Sequence, residues 1–234
     1  MRTSLSFRSW CVSSLLAGVV TAAASSVVST HGQSAPTATL SGRVQFRGVA
    51  RAPSYPDDFY SYRPPSSMTH PPDPLRAIVY LEGENLEPLA EPQPAVIDQK
   101  NEMFVPHILA VQRGARVAFR NSDAIYHNVF SFSKIKRFDL GRYPQGRSRS
   151  VVFDRLGVVR VFCEIHSHMS AFVLVLPHSY FATTDASGAY RIPDVPPGRY
   201  DVVAWSDLFQ PARREIRIEA GAANEIDLVL DQAR

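Results

Sequence analysis

Gly157-Val158-Val159-Arg160-Val161-Phe162, then Cys163-Glu164-Ile165-His166-Ser167-His168-Met169, then Ser170 and Ala171-Phe172-Val173-Leu174-Val175-Leu176 is the stretch that decides the fold. The first and last runs are apolar and rich in valine and phenylalanine, so they read as two strands. The segment between them is too short for anything but a tight loop. Two residues separate Cys163 from His166 and two more separate His166 from Met169, so one turn can aim all three side chains at a point. Thirty-six residues before the cysteine, His127 stands in Tyr126-His127-Asn128-Val129 and must come from another strand end.

A thiolate, two imidazoles and a thioether are the donor set of a blue copper electron-transfer site, in which a trigonal His-His-Cys arrangement has a weak axial Met. Sulfur donors favour copper over hard cations. Plainer readings compete: Cys163 as a free thiol or an intermolecular disulfide partner, and Met169 as ordinary core. The strands on either side and the upstream His127-Asn128 pair favour the metal. His31, His70, His107 and His178 lie in loop-like or proline-flanked contexts and are expected to be surface residues. His168 lies inside the loop and is an alternative donor, but a fourth strong donor is not needed, and exposure is expected for it.

Arg2 and Arg8, an apolar run from Trp10 to Val20 and the small residues Ala22-Ala23-Ala24 read as a signal peptide over residues 1–24. Its apolar part is shorter than the roughly 20 residues of a membrane span, and no later segment approaches that length. A periplasmic or secreted protein with no membrane span is expected. Cys11 would leave with the leader, so Cys163 has no partner for an intrachain disulfide. The formal charge of +3 is too small to imply nucleic acid. Between residues 134 and 149, Lys134, Lys136, Arg137, Arg142, Arg147 and Arg149 face only Asp139. A solvated loop is the expected reading of that stretch, and a patch steering an acidic partner is the alternative.

Strand signals dominate elsewhere, no amphipathic helical period is sustained, and the chain carries 18 prolines. The fold class is therefore all-β. A first strand is expected within 37–46, a proline-rich loop over 51–74, and a second strand over 77–81. In Arg116-Val117-Ala118-Phe119-Arg120, Val117 and Phe119 point one way and their neighbours the other, as a half-buried sheet requires. Past Pro177 the chain turns to short strands and strong turns, Asp185-Ala186-Ser187-Gly188 and Pro196-Pro197-Gly198, with Tyr190, Ile192, Tyr200, Val202 and Ala204 alternating inward. That pattern reads as a small antiparallel sandwich.

Two resemblances cover nearly all of the chain past the leader. The segment from about Phe104 to Leu176 resembles the cupredoxins, most closely the amicyanin and plastocyanin type. It does so in Gly114-Ala115-Arg116-Val117-Ala118-Phe119-Arg120-Asn121, in His127-Asn128-Val129, and in Cys163-x-x-His166-x-x-Met169. The resemblance implies a Greek-key β-sandwich holding one type 1 copper, with His127, Cys163 and His166 as equatorial ligands and Met169 as the axial one. It also implies that Asn128 pins the two ligand loops together and supports a backbone donor to the Cys163 sulfur. Ile165 replaces a proline usual before the second histidine, and Ser167-His168 replaces a Pro-Phe pair, so the surface near His166 differs from the family's.

The C-terminal part, Thr183-Thr184-Asp185 through Val195-Pro196-Pro197-Gly198-Arg199-Tyr200-Asp201-Val202, resembles carboxypeptidase regulatory-like, transthyretin-type sandwiches. Gly42-Arg43-Val44 and Ala77-Ile78-Val79-Tyr80-Leu81 resemble their first strands. The expected layout is a discontinuous regulatory-like domain, 38–83 and 178–232, with a cupredoxin over 94–177 inserted in it; two sandwiches in tandem is the competing layout. Proteins of this combination are often labelled methylamine-utilisation proteins.

The function expected is one-electron transport between periplasmic redox partners, such as a c-type cytochrome or a periplasmic dehydrogenase, with no catalysis. His166 is the expected entry edge, with Met169 and Phe172 as an apolar rim for transient docking. The alternative is copper resistance, storage or delivery, with His168, His70, Met68 and Met103 as auxiliary donors. A multicopper enzyme is disfavoured because His166-Ser167-His168 is the only His-x-His pair.

Overall fold

Along Arg116–Asn121 every second side chain, Val117, Phe119 and Asn121, is buried, while Arg116 and Arg120 reach solvent. Such alternation recurs through the chain and builds it from sheets with one apolar face each. The computed structural model describes residues 37–48 and 75–232. The expected leader at 1–24 with Cys11, the residues His31, Met68 and His70, and the loop at 51–74 lie outside the described residues.

Two strands open the described chain, β1 (Ala38–Arg47) and β2 (Ile78–Glu82). Then come β3 (Ala95–Lys100), β4 (Met103–Val105), β5 (Ile108–Gln112), β6 (Arg116–Asn121), β7 (His127–Ser133), β8 (Lys136–Tyr143), β9 (Ser148–Val152), β10 (Gly157–Phe162) and β11 (Ser170–Leu176). The last group is β12 (Phe181–Thr183), β13 (Ala189–Val195), β14 (Gly198–Trp205), β15 (Ala212–Ile218), β16 (Ala223–Glu225) and β17 (Leu228–Asp231). The described residues are all-β, with no helix among them.

Pairing sorts the strands into four sheets. One has the order β13-β1-β16, with β17 also on β1; a second runs β12-β2-β14-β15. Their inner faces share a core of Leu40, Val44, Val79, Leu81, Tyr190, Ile192, Tyr200, Val202 and Leu228. The early strands β1 and β2 therefore pair with strands more than a hundred residues later, for example Val44 with Leu228 and Leu81 with Val202. The intervening strands form the other two sheets, β5-β11-β10-β7-β8 and β4-β3-β6-β9, around Ile97, Phe104, Val117, Phe119, Val129, Tyr143, Val161 and Val173.

A third apolar cluster joins the two sandwiches. Ile108 and Ala110 of β5 and Phe172, Leu174 and Leu176 of β11 pack with Ile78 of β2, and with Tyr80, Phe181 and Trp205 at their margin. This explains why β11 reads as a continuous apolar run: both of its faces are covered. The chain over 134–149 is not a solvated loop, as its charges led us to expect, but the strands β8 and β9 joined by a turn. Exposed strands keep charged residues on their outer side, so a high cation density does not exclude pairing. Arg137 and Arg149 sit in regular ladders opposite Phe132 and Phe119.

Candidate metal centre

His127 is the first residue of β7, Cys163 follows the last residue of β10, and Phe130 pairs with Phe162, so the sheet itself brings the two donors to one end of the sandwich. Between β10 and β11 the loop is closed by two backbone bonds, Met169 N to His166 O at 2.9 Å and Cys163 N to Met169 O at 3.3 Å. These turns hold His166 and Met169 beside the cysteine. His127, Cys163 and Met169 are buried, whereas the His166 side chain keeps 20% of its surface exposed.

The Sγ atom of Cys163 lies 3.8 Å from Nδ1 of His127 and 3.9 Å from Nδ1 of His166, and the two Nδ1 atoms are 3.0 Å apart. The point equidistant from all three atoms is about 2.1 Å from each, the range of metal–nitrogen and metal–thiolate bonds at about 2.0–2.3 Å. The ring chemistry agrees. Nε2 of His127 lies 2.9 Å from Asp123 Oδ2, and a carboxylate only accepts, so Nε2 carries a proton and Nδ1 is the nitrogen left to meet a metal. A soft cation between two nitrogens and a thiolate suits this cluster, and the donor set fits copper.

Asp123 is itself clamped. Backbone N–H groups of Asn101 and Glu102 donate to its carboxylate at 2.6 and 2.9 Å. These two residues have φ of +54° and form the turn between β3 and β4, the left-handed pair a tight hairpin needs. The thiolate has parallel support: N–H groups of Asn128, His166 and Ile165 donate to the Cys163 sulfur. Asn128, expected to pin the ligand loops, is buried, and its Oδ1 accepts the N–H of Glu164 at 2.5 Å.

Electrostatics follow from these contacts. Burial alone would raise the Cys163 thiol, but the His127 ring and the three N–H donors outweigh it and hold it below its ordinary value. Burial likewise opposes charge on His127, yet Cys163 and Asp123 raise it. His166 is lowered by burial and by the charge of His127. Asp123 is held below the ordinary carboxylate value because the N–H groups of Glu102 and Asn101 and the His127 ring offset its burial.

Several expectations need correction. Met169 and Phe172 form no apolar rim; both are buried, because Met169 faces the core between the sheets and Phe172 the joint between the sandwiches. The exposed apolar residues close to His127 and His166 in sequence are Ile125, Tyr126 and Ile165. His168 is mostly buried, at 16% side-chain exposure, with Nε2 3.7 Å from Glu102 Oε2. His178 is buried too, and His107 is half-buried against Asp207. Asp123 went unnoticed in the sequence, although its place four residues before His127 was the available signal.

A family model of the carboxypeptidase regulatory-like domain matches residues 170–231. That span begins at the start of β11 and ends with β17. Among solved structures, a reduced amicyanin variant is 23% identical over 35% of this chain and 80% of its own, with a TM-score of 0.33. A purple cupredoxin from Nitrosopumilus maritimus is 24% identical over 35% of this chain and 96% of its own, with a TM-score of 0.32. A copper-containing nitrite reductase from Thermus scotoductus is 22% identical over 39% of this chain and 23% of its own, with a TM-score of 0.34. Cupredoxin and carboxypeptidase regulatory-like domain are the two resemblances read from the sequence. No protein with a curated description matches the chain.

Proposed function

We propose that this protein is a periplasmic type 1 copper protein that carries single electrons between redox partners. The observation that carries the reading is the convergence of His127 Nδ1, Cys163 Sγ and His166 Nδ1, with Met169 buried in the same loop. Bound there, copper supplies a Cu(II)/Cu(I) couple. The protein's part is to keep the ligands still. Asp123 fixes the tautomer of His127, three N–H groups hold the thiolate, and Asn128 ties the strand of one ligand to the loop of the others. A site that needs no rearrangement on gaining or losing an electron suits transport rather than turnover, so we expect no enzymatic activity.

His166, the one partly exposed ligand, is the proposed entry edge, and Ile165, Ile125 and Tyr126 replace Met169 and Phe172 as the apolar surface offered to a partner. A c-type cytochrome or a periplasmic dehydrogenase is the proposed partner class. The strand pairing supports a regulatory-like domain of 38–83 and 178–232 interrupted by a cupredoxin of 94–177. Copper storage or delivery is the second reading, favoured by His168 with its ring 6.1 Å from that of His166. The His168 ring falls outside the His127–Cys163–His166 cluster, however, with Nε2 3.7 Å from Glu102 Oε2, which supports a single copper.

The test is the visible and electron paramagnetic resonance spectrum of the chain with one equivalent of Cu(II), beside Cys163→Ser. Intense blue or purple colour with narrow copper hyperfine splitting, lost in the variant, is expected. A pale, ordinary Cu(II) spectrum would reject electron transport in favour of copper handling.

A further inference from the structure

The carbonyl that follows Met169 is held by a histidine that the other sandwich anchors. Ser170 O lies 2.9 Å from Nδ1 of His107, the residue before β5, and Nε2 of the same ring lies 2.9 Å from Oδ2 of Asp207. Asp207 follows β14, in the sheet β12-β2-β14-β15, and its side chain is only 5% exposed. A carbonyl and a carboxylate both accept, so both ring nitrogens donate and the bond to Asp207 is charge-assisted. The Phe172 ring lies edge-on to His107 at 5.4 Å and against Trp205 at 6.1 Å, and the Phe172 N–H donates to His107 O at 2.8 Å. His107 thus binds β11 through both its ring and its backbone, at the point where the strand leaves the ligand loop.

Met169 has little else to fix it along the chain. Among the described residues its N–H and carbonyl bond to His166 and Cys163, which belong to the same loop, and the neighbouring Ser170 lies opposite Phe162 of β10. The first bond from this end of the loop to a different element is the one from Ser170 to His107. We propose that Asp207, His107 and Ser170 form a strut through which the regulatory-like sandwich sets the position of Met169. Asp207 and His107 are then positioning residues, and the second sandwich has a part in the metal centre. The proposal rests on the copper reading above insofar as the axial donor tunes the reduction potential of such a site.

The full chain is compared with Asp207→Ala, Asp207→Asn and His107→Leu. Asparagine can still bond to the imidazole, so Asp207→Asn is the conservative rescue. In the copper-free proteins, amide hydrogen exchange at Met169 and Phe172 should quicken by about tenfold or more in Asp207→Ala and His107→Leu, and stay near the parent rate in Asp207→Asn. In the copper-loaded proteins, the first two variants should share a displaced reduction potential and an altered visible spectrum, and their double variant should add nothing further. Unchanged exchange at both amides in Asp207→Ala overturns the strut. So does an unmoved potential accompanied only by a lower melting temperature. A parent that binds no copper sinks the electron-transport reading, and the exchange rates then decide the strut alone.

Discussion

Asp123 Oδ2 meets Nε2 of His127 at 2.9 Å, and through that one contact a carboxylate decides which nitrogen of His127 faces Cys163. A ligating histidine whose other N–H is held by a carboxylate is oriented before the metal arrives, and losing such a partner typically costs about 10–100-fold in affinity. Asp123→Ala should therefore bind copper that much more weakly, as measured by competition with a chelator of known affinity. Equal affinity in the two proteins would show that packing alone orients the ring.

Asn128 works on the other side of the site, where its Oδ1 accepts the Glu164 N–H across the gap between the segments that carry His127 and Cys163. The residue is buried, so Asn128→Ala removes a shielded bond and should lower the stability of the copper-free protein by about 1–2 kcal/mol. Urea unfolding measures this. An unchanged midpoint with an unchanged slope would mean that the two segments are joined well enough by the Phe130–Phe162 pairing.

The convergence of His127, Cys163 and His166 was legible because a soft-metal donor set needs particular atoms at short spacing, and strands such as Arg116–Asn121 and Gly157–Phe162 announce themselves by alternation and valine content. What escaped is tertiary. Nothing local to Asp207 tells that it meets His107 a hundred residues earlier, or that a proline-flanked histidine is covered by another sheet. Phe172 was expected at the surface because a run buried on both faces carries no sign of which residue lies at a joint. The strands β8 and β9 were hidden by their arginines and lysines, which sit on exposed faces where composition follows solvent and not pairing.

His178 gives the regulatory-like sandwich an acid sensitivity. Its Nδ1 accepts the Tyr180 N–H at 3.3 Å, and burial holds the ring below its ordinary value against the opposing pull of the Leu81 carbonyl. The unfolded chain protonates this ring at about pH 6.5 and the folded one only lower. Its contribution to stability is therefore complete above about pH 6.5 and is lost as the pH falls toward the folded value. Melting temperatures of the copper-free protein should fall between about pH 7 and about pH 5, and less steeply in His178→Gln, which cannot charge. Parallel slopes for the two proteins would remove His178 as the cause.

Gly188 locks β1 to the turn that precedes β13. Its φ is +81°, and its carbonyl accepts the Val44 N–H at 2.8 Å. A Cβ at this position would overlap the Val44 carbonyl oxygen, which is backbone and cannot rotate away. The left-handed conformation alone costs a side chain about 1–2 kcal/mol, and the displaced β1 adds more, so Gly188→Ala should destabilise by about 2–4 kcal/mol. Because Val44 also pairs with Leu228, the loss should appear as earlier exchange of amides in β1 and β17 together. Exchange confined to the turn around Gly188 would show instead that β1 is held from elsewhere and that its union with the C-terminal strands is weak.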